Sequence, residues 1–154
     1  MKTFRDILLR HDEVGAYEQP HSFDRRAALG TVVELIARLN TRFSSDFALD
    51  DHVEDASFLC DIIIPEGLVQ AWQPNLGYAI RISNFGQLAS ICFEENILQE
   101  ALELVKSDLQ GAGFTYLPAS VLQDMDYDGR FEDFKSLNGP ERLVTWWHRY
   151  FDYL

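Results

Sequence analysis

The middle of the sequence has very few basic residues. Between Phe43 and Gly129 only Arg81 and Lys106 are basic, whereas fifteen residues are acidic. The whole chain has 13 Lys+Arg against 25 Asp+Glu and a formal net charge of -12. Such a negative field repels nucleic acid and anionic membranes and attracts cationic surfaces. We therefore expect a basic protein as the partner, and neither nucleic acid nor a membrane.

Long hydrophobic runs are also absent. No apolar stretch approaches the roughly 20 residues that a membrane-spanning helix needs, and residues 1–6 lack the apolar stretch of a secretory signal. These two absences predict a cytoplasmic protein. Aromatic residues, at 13%, and hydrophobic residues, at 47%, are plentiful. A chain of 154 residues with this composition can bury a core, so we expect a single domain over residues 1–154.

Cysteine is scarce as well. Cys60 and Cys92 are the only two cysteines, and no CxxC pair occurs, so thiols alone make no zinc site. Both lie in apolar, strand-like runs, which favours two small buried thiols in the reduced state. The alternative is a redox pair, which requires the two strands to lie side by side. No cofactor is predicted.

Recognised catalytic motifs are missing too. The sequence has no G-x-S-x-G, H-E-x-x-H or P-loop pattern, and no catalytic residue is predicted. His148 and Asp152 are four residues apart in the last predicted helix and can touch. A histidine oriented by a carboxylate is half of a catalytic arrangement, but no nucleophile with a suitable context accompanies it. A plain intrahelical pair is the preferred interpretation.

One local pattern matches the opening of a calcium-binding loop. Asp124, Asp126 and Asp128 alternate before Gly129, and Glu132 supplies an oxygen at the ninth position, so the segment resembles an EF-hand loop. The twelfth position, where a bidentate Glu would close the coordination shell, is Lys135. We therefore prefer a surface turn with solvated carboxylates. We expect calcium to bind weakly or not at all, with the Lys135 ammonium as an internal counter-ion.

The hydrophobic periodicity predicts the α+β class. The predicted sheet is small and has about four strands. It is antiparallel or mixed, because a β-hairpin requires antiparallel pairing. Three or four helices are expected to pack on it. Thr3 and Asp24 are the predicted N-caps of the first two helices. The helices are expected at residues 3–11, 24–43, 97–110 and 141–153, with one further turn at 118–123. The strands are expected at residues 57–64, 78–83, 87–93 and 114–117.

Local patterns add finer expectations. Asn96 is predicted to cap the helix at 97–110, with Gln99 in the reciprocal position of a capping box. Gly30, inside the helix at 24–43, is expected to permit a close backbone contact. In the first predicted strand, strict alternation places one set of residues on a single face: Phe58, Cys60, Ile62 and Ile64. Leu59 and Ile63 are expected on the opposite face.

Two acidic groups are the candidate partner-binding residues. Asp50, Asp51, Glu54 and Asp55 form the densest acidic group, in a segment at 46–55 that is predicted to be a loop. His52 lies among them, but no spacing fixes metal ligands on one face, so a solvated loop or a partner-binding face is preferred. The second group consists of Glu94, Glu95, Glu100 and Glu103. Glu94 and Glu95 stand at the start of a helix, where they also favour the helix dipole.

The C-terminal segment 145–154 is rich in aromatic residues. The preferred interpretation is a terminal helix that buries most of its circumference. Leu143, Trp147, Tyr150 and Leu154 form one helical stripe, and Trp146 and Tyr153, seven residues apart, form a second. In the alternative, the stripe of Trp146 and Tyr153 stays exposed as an anchor for a partner, because Trp and Tyr are common in binding hot spots.

Together these patterns predict a non-enzymatic binding protein with an acidic face for a basic protein partner. Its most specific form is a bacterial immunity protein or inhibitor of a basic toxin, because nuclease-type toxins must be cationic to hold nucleic acid. The alternative function is a small metal-dependent or hydrolytic enzyme that uses the Asp124–Asp128 loop or the His148/Asp152 pair. A homo-oligomer that associates through the aromatic C-terminus comes third.

Overall fold

A five-stranded sheet with helices on both faces forms the centre of the molecule. The structure is a computed structural model that describes residues 2–137, 139 and 143–154. The strands are β1 (Ala48–Asp50), β2 (Phe58–Ile63), β3 (Ala79–Ser83), β4 (Leu88–Cys92) and β5 (Thr115–Tyr116), in that spatial order. The helices are α1 (Phe4–Arg10), α2 (Arg25–Phe43), α3 (Gln99–Gly111), α4 (Ala119–Asp124), α5 (Glu132–Lys135) and α6 (Trp146–Phe151).

The α+β class is confirmed. The described residues form six helices instead of three or four, because a helix as short as α5 leaves no helical hydrophobic period in the sequence. The sheet also differs from the one expected. It has five strands instead of about four, and it is mixed: β1 to β4 pair antiparallel, and β4 pairs with β5 in parallel. The extra strand is β1, which lies inside the acidic segment predicted to be a loop. Its three residues are all exposed, and a strand that buries neither face leaves no hydrophobic alternation in the sequence.

The first two helices begin where the sequence predicts. The Thr3 hydroxyl accepts from the Asp6 N–H, and the Asp24 carboxylate accepts from the Ala27 N–H. Gly30 makes no close contact, because a Cβ built there would meet nothing within 4 Å. None of the helices in the described part of the chain is long and apolar enough to cross a membrane.

The later helices begin farther along the chain than expected. A 3-10 turn at Glu94–Asn96 precedes α3, whose N-cap is Leu98, so the predicted capping box of Asn96 and Gln99 is wrong. The last helix, predicted over 141–153, begins at Trp146 and ends at Phe151, since residues 143–145 before it are not helical. Residues 141 and 142 of that prediction lie outside the described residues, and Leu143 is 78% exposed.

An irregularity in β2 changes the predicted faces of that strand. The pairing with β3 shifts between Phe58 and Cys60, which is the signature of a β-bulge. Leu59 consequently joins Cys60 and Ile62 in the core on one face. Phe58 faces the other way, where its ring lies 3.9 Å from the guanidinium of Arg81. The prediction that Phe58 shares a face with Cys60 and Ile62 is therefore wrong.

Two hydrophobic clusters occupy the two sides of the sheet. The aliphatic cluster lies under α2 and α3 and includes Leu35, Leu39, Ile62, Ile80, Ile91 and Leu109. The aromatic cluster lies on the other side, with α1, α4, α5 and α6, and includes Phe85, Tyr127, Phe134, Trp146, Tyr150 and Phe151. The terminal helix α6 is thus part of the core, as preferred from the sequence.

The two cysteines lie on different sides of the sheet. Cys60 belongs to the aliphatic cluster, whereas Cys92 packs against the aromatic cluster. Their strands β2 and β4 are separated by β3. The redox-pair alternative is therefore wrong, and both cysteines are free. Burial raises the pKa of the Cys60 thiol to about 12 and that of Cys92 to about 11, which keeps both thiols protonated at neutral pH.

Candidate partner-binding surface

The acidic residues fall into two classes by their partners. The buried carboxylates of Asp12 and Asp108 and the half-buried Asp61 each hydrogen-bond an arginine side chain, at 2.6–3.0 Å. The acidic residues of segment 46–55 form no ion pair with any described residue, and all are exposed except the half-buried Asp51: Asp46, Asp50, Asp51, Glu54 and Asp55. No cation among the described residues therefore pairs with these five carboxylates.

The backbone holds this segment in a defined shape. β1 is an edge strand that pairs only with β2, with Asp50 opposite Asp61. The Asp50 carboxylate then accepts from the N–H of His52, and Arg25 donates to the carbonyl of Asp51. These main-chain contacts position the acidic residues without neutralising the Asp51 or Glu54 side chains.

Tyr153 lies beside the end of the acidic segment. It forms an isolated β-bridge with Ala56, and the Leu154 N–H donates to the Asp55 carbonyl at 2.7 Å. The Tyr153 ring stands edge-on to Phe58, with centroids 5.1 Å apart, and the residue is 57% exposed. We call Asp46, Asp50, Asp51, Glu54, Asp55 and Tyr153 together the acidic edge.

Trp146, the other predicted aromatic contact, has no exposed surface. Its ring centroid lies 4.6 Å from that of Tyr127 and 5.7 Å from that of Tyr150, and its indole N–H donates to Asp128. A partner cannot reach a fully buried side chain, so we place Trp146 in the core and leave it out of the proposed surface.

Glu94 and Glu95 lie at the end of the sheet opposite Tyr153. They follow Cys92, which pairs with Ala79 beside the end of β2, whereas Tyr153 lies beside the start of β2. Glu94 accepts a hydrogen bond from the Tyr116 hydroxyl and lies 3.9 Å from the Lys106 ammonium, so its charge serves the fold. Burial and Glu94 raise the pKa of Tyr116. Glu95 is exposed and makes no ion pair with a described residue.

The Asp-rich loop is arranged around internal partners. Asp128 accepts from the Arg5 Nε at 2.7 Å and from Trp146, and Arg5 lowers the pKa of Asp128. The Lys135 ammonium contacts Glu132 at 3.0 Å. Asp124 and Asp126 are exposed. Among the residues that the structure describes, no group of three or more His, Cys, Asp or Glu side chains could hold a metal ion.

The His148 and Asp152 side chains do approach each other, at 3.8 Å between Nε2 and Oδ2. The other ring nitrogen of His148 accepts a hydrogen bond from the N–H of Thr145 at 3.1 Å. Thr145 is the N-cap residue of α6. The imidazole therefore caps its own helix. The Thr145 hydroxyl also lies within 3 Å of this ring nitrogen. These contacts are those of a capped helix N-terminus, and they favour a structural role for His148 over activation of a nucleophile.

Two features of this surface escaped the sequence patterns. Asp46 was not singled out, although it belongs to the same acidic run, because Phe47, Ala48 and Leu49 separate it from Asp50. The contact between Tyr153 and Ala56 joins residues about a hundred positions apart, and no local pattern predicts it.

Comparison of this chain with protein-family models, with curated protein sequences and with solved structures gave no match.

Proposed function

We propose that this protein is a non-enzymatic binding protein whose acidic edge contacts a basic protein partner. The observation that carries this proposal is the set of five carboxylates in segment 46–55 without an ion pair among the described residues. Like charges held close together raise the energy of the free protein, and a cationic partner relieves that repulsion. The exposed ring of Tyr153 adds an aromatic contact at one end of the surface.

The edge strand gives this surface a second means of recognition. The outer side of β1 pairs with no other strand of the sheet, and an exposed strand edge can accept an extended segment of a partner by main-chain hydrogen bonding. Acidic residues on such an edge discourage self-association and favour a cationic segment. The same acidic residues would therefore reduce pairing with a second copy of this edge and favour pairing with a cationic segment.

An inhibitor or immunity protein that covers a cationic, nuclease-type toxin is the specific form that we propose. Such toxins need positive charge to hold nucleic acid, and a small anionic protein can associate with them rapidly through electrostatic steering. Complementarity of charge supports this step.

The proposal is tested by capturing basic proteins from the native host on this protein and measuring association rates with the captured partner. The test variant is Asp50→Asn/Asp51→Asn/Glu54→Gln/Asp55→Asn. It should associate at least about tenfold more slowly at low salt, because steering fades as charge is removed or screened. Asn at position 50 retains the oxygen that accepts from His52.

The matched control removes the same number of charges elsewhere: Glu34→Gln, Asp124→Asn, Asp126→Asn and Asp133→Asn, all exposed residues. It should change the association rate far less than the test variant. A captured partner whose association rate ignores both salt and the four substitutions of the acidic edge would refute the proposal.

A further inference from the structure

An apolar groove opens where α2 ends and α3 begins. It has a volume of about 420 Å³, and Phe43, Leu68, Leu98 and Leu104 contribute most of its apolar wall. Phe43 is the last residue of α2, and Leu68 closes the 3-10 turn at Glu66–Leu68. Three separate segments of the chain thus meet around one apolar hollow.

The fold keeps this groove open. The Leu98 N–H donates to the Leu68 carbonyl at 2.9 Å, and Val69 forms a bridge with Ile97, so the floor is fixed by main-chain bonds. Leu98 is the N-cap of α3 and remains 37% exposed, while Leu104 is 39% exposed on the same helix. Large apolar side chains that converge on an exposed hollow are typical of a binding site.

The charge around the groove is negative. Glu100 lines it, and Glu66 belongs to the same turn as Leu68. Neither carboxylate forms an ion pair with a described residue, and no basic residue is among the described residues that line the groove. The adjacent Arg42 is held by two hydrogen bonds to Asp108, at 2.6 and 2.8 Å. Charge complementarity therefore selects an apolar group that carries positive charge beside it.

The groove also lies close to one end of the acidic edge. The ring of Phe43 lies 5.5 Å from that of Phe47, and Asp46, the first member of the acidic edge, stands between them in the chain. Ala48, at the start of β1, pairs with Ile63, three residues before Glu66. The Asp46 end of the acidic edge is therefore the end nearer to the groove.

We propose that this groove receives apolar side chains of a basic, amphipathic segment of the partner, whose lysines or arginines meet Glu66 and Glu100. The inference rests on the proposed function, since it locates an apolar anchor for the same basic partner. An interface in which a buried apolar anchor is surrounded by charged residues is typical of binding hot spots.

A synthetic peptide tests the groove without an identified partner. The probe is a 14-residue amphipathic peptide of leucine and lysine, and its matched control carries serine in place of each leucine. Affinities are measured by calorimetry, and amide chemical shifts report where the peptide lies. The leucine peptide should bind about tenfold more tightly than the serine peptide, because at least one leucine side chain leaves water. The largest shifts should fall on Leu68, Leu98 and Leu104.

The groove variant is Leu98→Ser/Leu104→Gln, which should bind the leucine peptide about tenfold more weakly. Serine is a favourable N-cap, so the change at Leu98 preserves the start of α3. The control variant, Val14→Ser/Val33→Gln, removes two exposed apolar side chains elsewhere and should bind as the unchanged protein does. An affinity unaffected by the groove variant, or equal for the two peptides, overturns the inference.

The same measurements separate this inference from the proposed function. The acidic-edge variant, altered at Asp50, Asp51, Glu54 and Asp55, should keep its affinity for the leucine peptide within about threefold, because Glu66 and Glu100 remain. If the acidic-edge variant does not slow association with the partner, the proposed function fails, and the peptide affinities still test the groove. If the groove variant binds the leucine peptide normally, the inference about the groove fails, and the proposed function of the acidic edge is unaffected.

Discussion

The two faces of the sheet are closed in different ways. On one face, α2 and α3, of 19 and 13 residues, cover an aliphatic cluster. On the other face, four helices of four to seven residues and the loops between them cover an aromatic cluster. That second face also contains the fully buried Arg149, paired with Asp12, and the Arg81–Asp61 pair.

Short helices need more help from their surroundings than long ones, since an isolated helix of a single turn or two is not stable in water. Arg149 provides that help from α6. It donates to the Asp12 carboxylate at 2.9 Å and to the carbonyls of Glu13 and Tyr17. Asp12 in turn accepts from the Tyr127 hydroxyl at 2.7 Å. The Arg149–Asp12 ion pair thus joins three segments: the loop that follows α1, the Asp-rich loop at residues 124–129, and the last helix.

The difference between the faces shows which property each depends on. The apolar core of the aliphatic face depends on volume, which several apolar side chains can supply. The buried carboxylate of Asp108, between α2 and α3, pairs with Arg38 and Arg42, which are themselves exposed. The aromatic face depends on particular donors and acceptors, because a buried charge without its partner is costly. The guanidinium of Arg149 also lies 4.7 Å from the ring of Phe85 and 5.0 Å from that of Phe134, so the surrounding rings are adapted to a cation.

The largest expected effect is that of Arg149→Met. It leaves the Asp12 carboxylate buried without its charged partner and should lower the free energy of unfolding by about 3–5 kcal/mol. Urea denaturation measures this change. The Arg149→Met/Asp12→Asn double variant should be less destabilised than the sum of the two single variants by at least about 1 kcal/mol. Additive effects would contradict the role of the pair as one unit.

The next effect concerns Gly129 in the Asp-rich loop. A Cβ at this position would overlap the carboxylate of Asp12 and approach the Tyr127 hydroxyl. Gly129→Ala should therefore destabilise the protein by about 1–3 kcal/mol. Gly30→Ala is the control: its Cβ meets nothing within 4 Å inside α2, and it should stabilise the protein by about 0.4–1 kcal/mol. Thermal denaturation of both variants measures these changes in stability. Equal effects of Gly129→Ala and Gly30→Ala would contradict the expected clash at position 129.

A smaller effect is expected on the aliphatic face. Leu39 is fully buried in α2, and Leu39→Met conserves volume, so it should cost less than about 1.5 kcal/mol. Arg149→Lys, which conserves charge but loses the planar donors, should cost more than Leu39→Met in the same urea titration. The reverse order would show that the two faces do not differ in the way described.

Calcium is expected to have the smallest effect. In the Asp-rich loop Asp128 is already bonded to Arg5, and Lys135 contacts Glu132, so millimolar calcium should leave the melting temperature almost unchanged. A rise of many degrees that Asp126→Ala abolishes would contradict this expectation. Magnesium at the same concentration controls for ionic strength.

Much of the fold could be predicted from the sequence because its signals are local. The caps at Thr3 and Asp24 and the antiparallel pairing of β3 with β4 follow from residues close together in the chain. β1 could not be predicted in this way, since its pairing with β2 depends on residues that lie beyond the acidic loop. The bulge at Leu59 likewise depends on how β2 meets β3, and it overturned the expected faces.

The candidate surface shows the same division. The sequence by itself determined that the middle of the chain is acidic, because charge is a property of composition. Only the tertiary structure decided which carboxylates remain unpaired. Asp12, Asp61 and Asp108 pair with arginines far along the chain, whereas no carboxylate of segment 46–55 forms an ion pair with a described residue. The tertiary structure also decided that Trp146 is buried while Tyr153 is exposed, because Trp146 packs against Tyr127 and Tyr150, whereas Tyr153 lies beyond the end of α6.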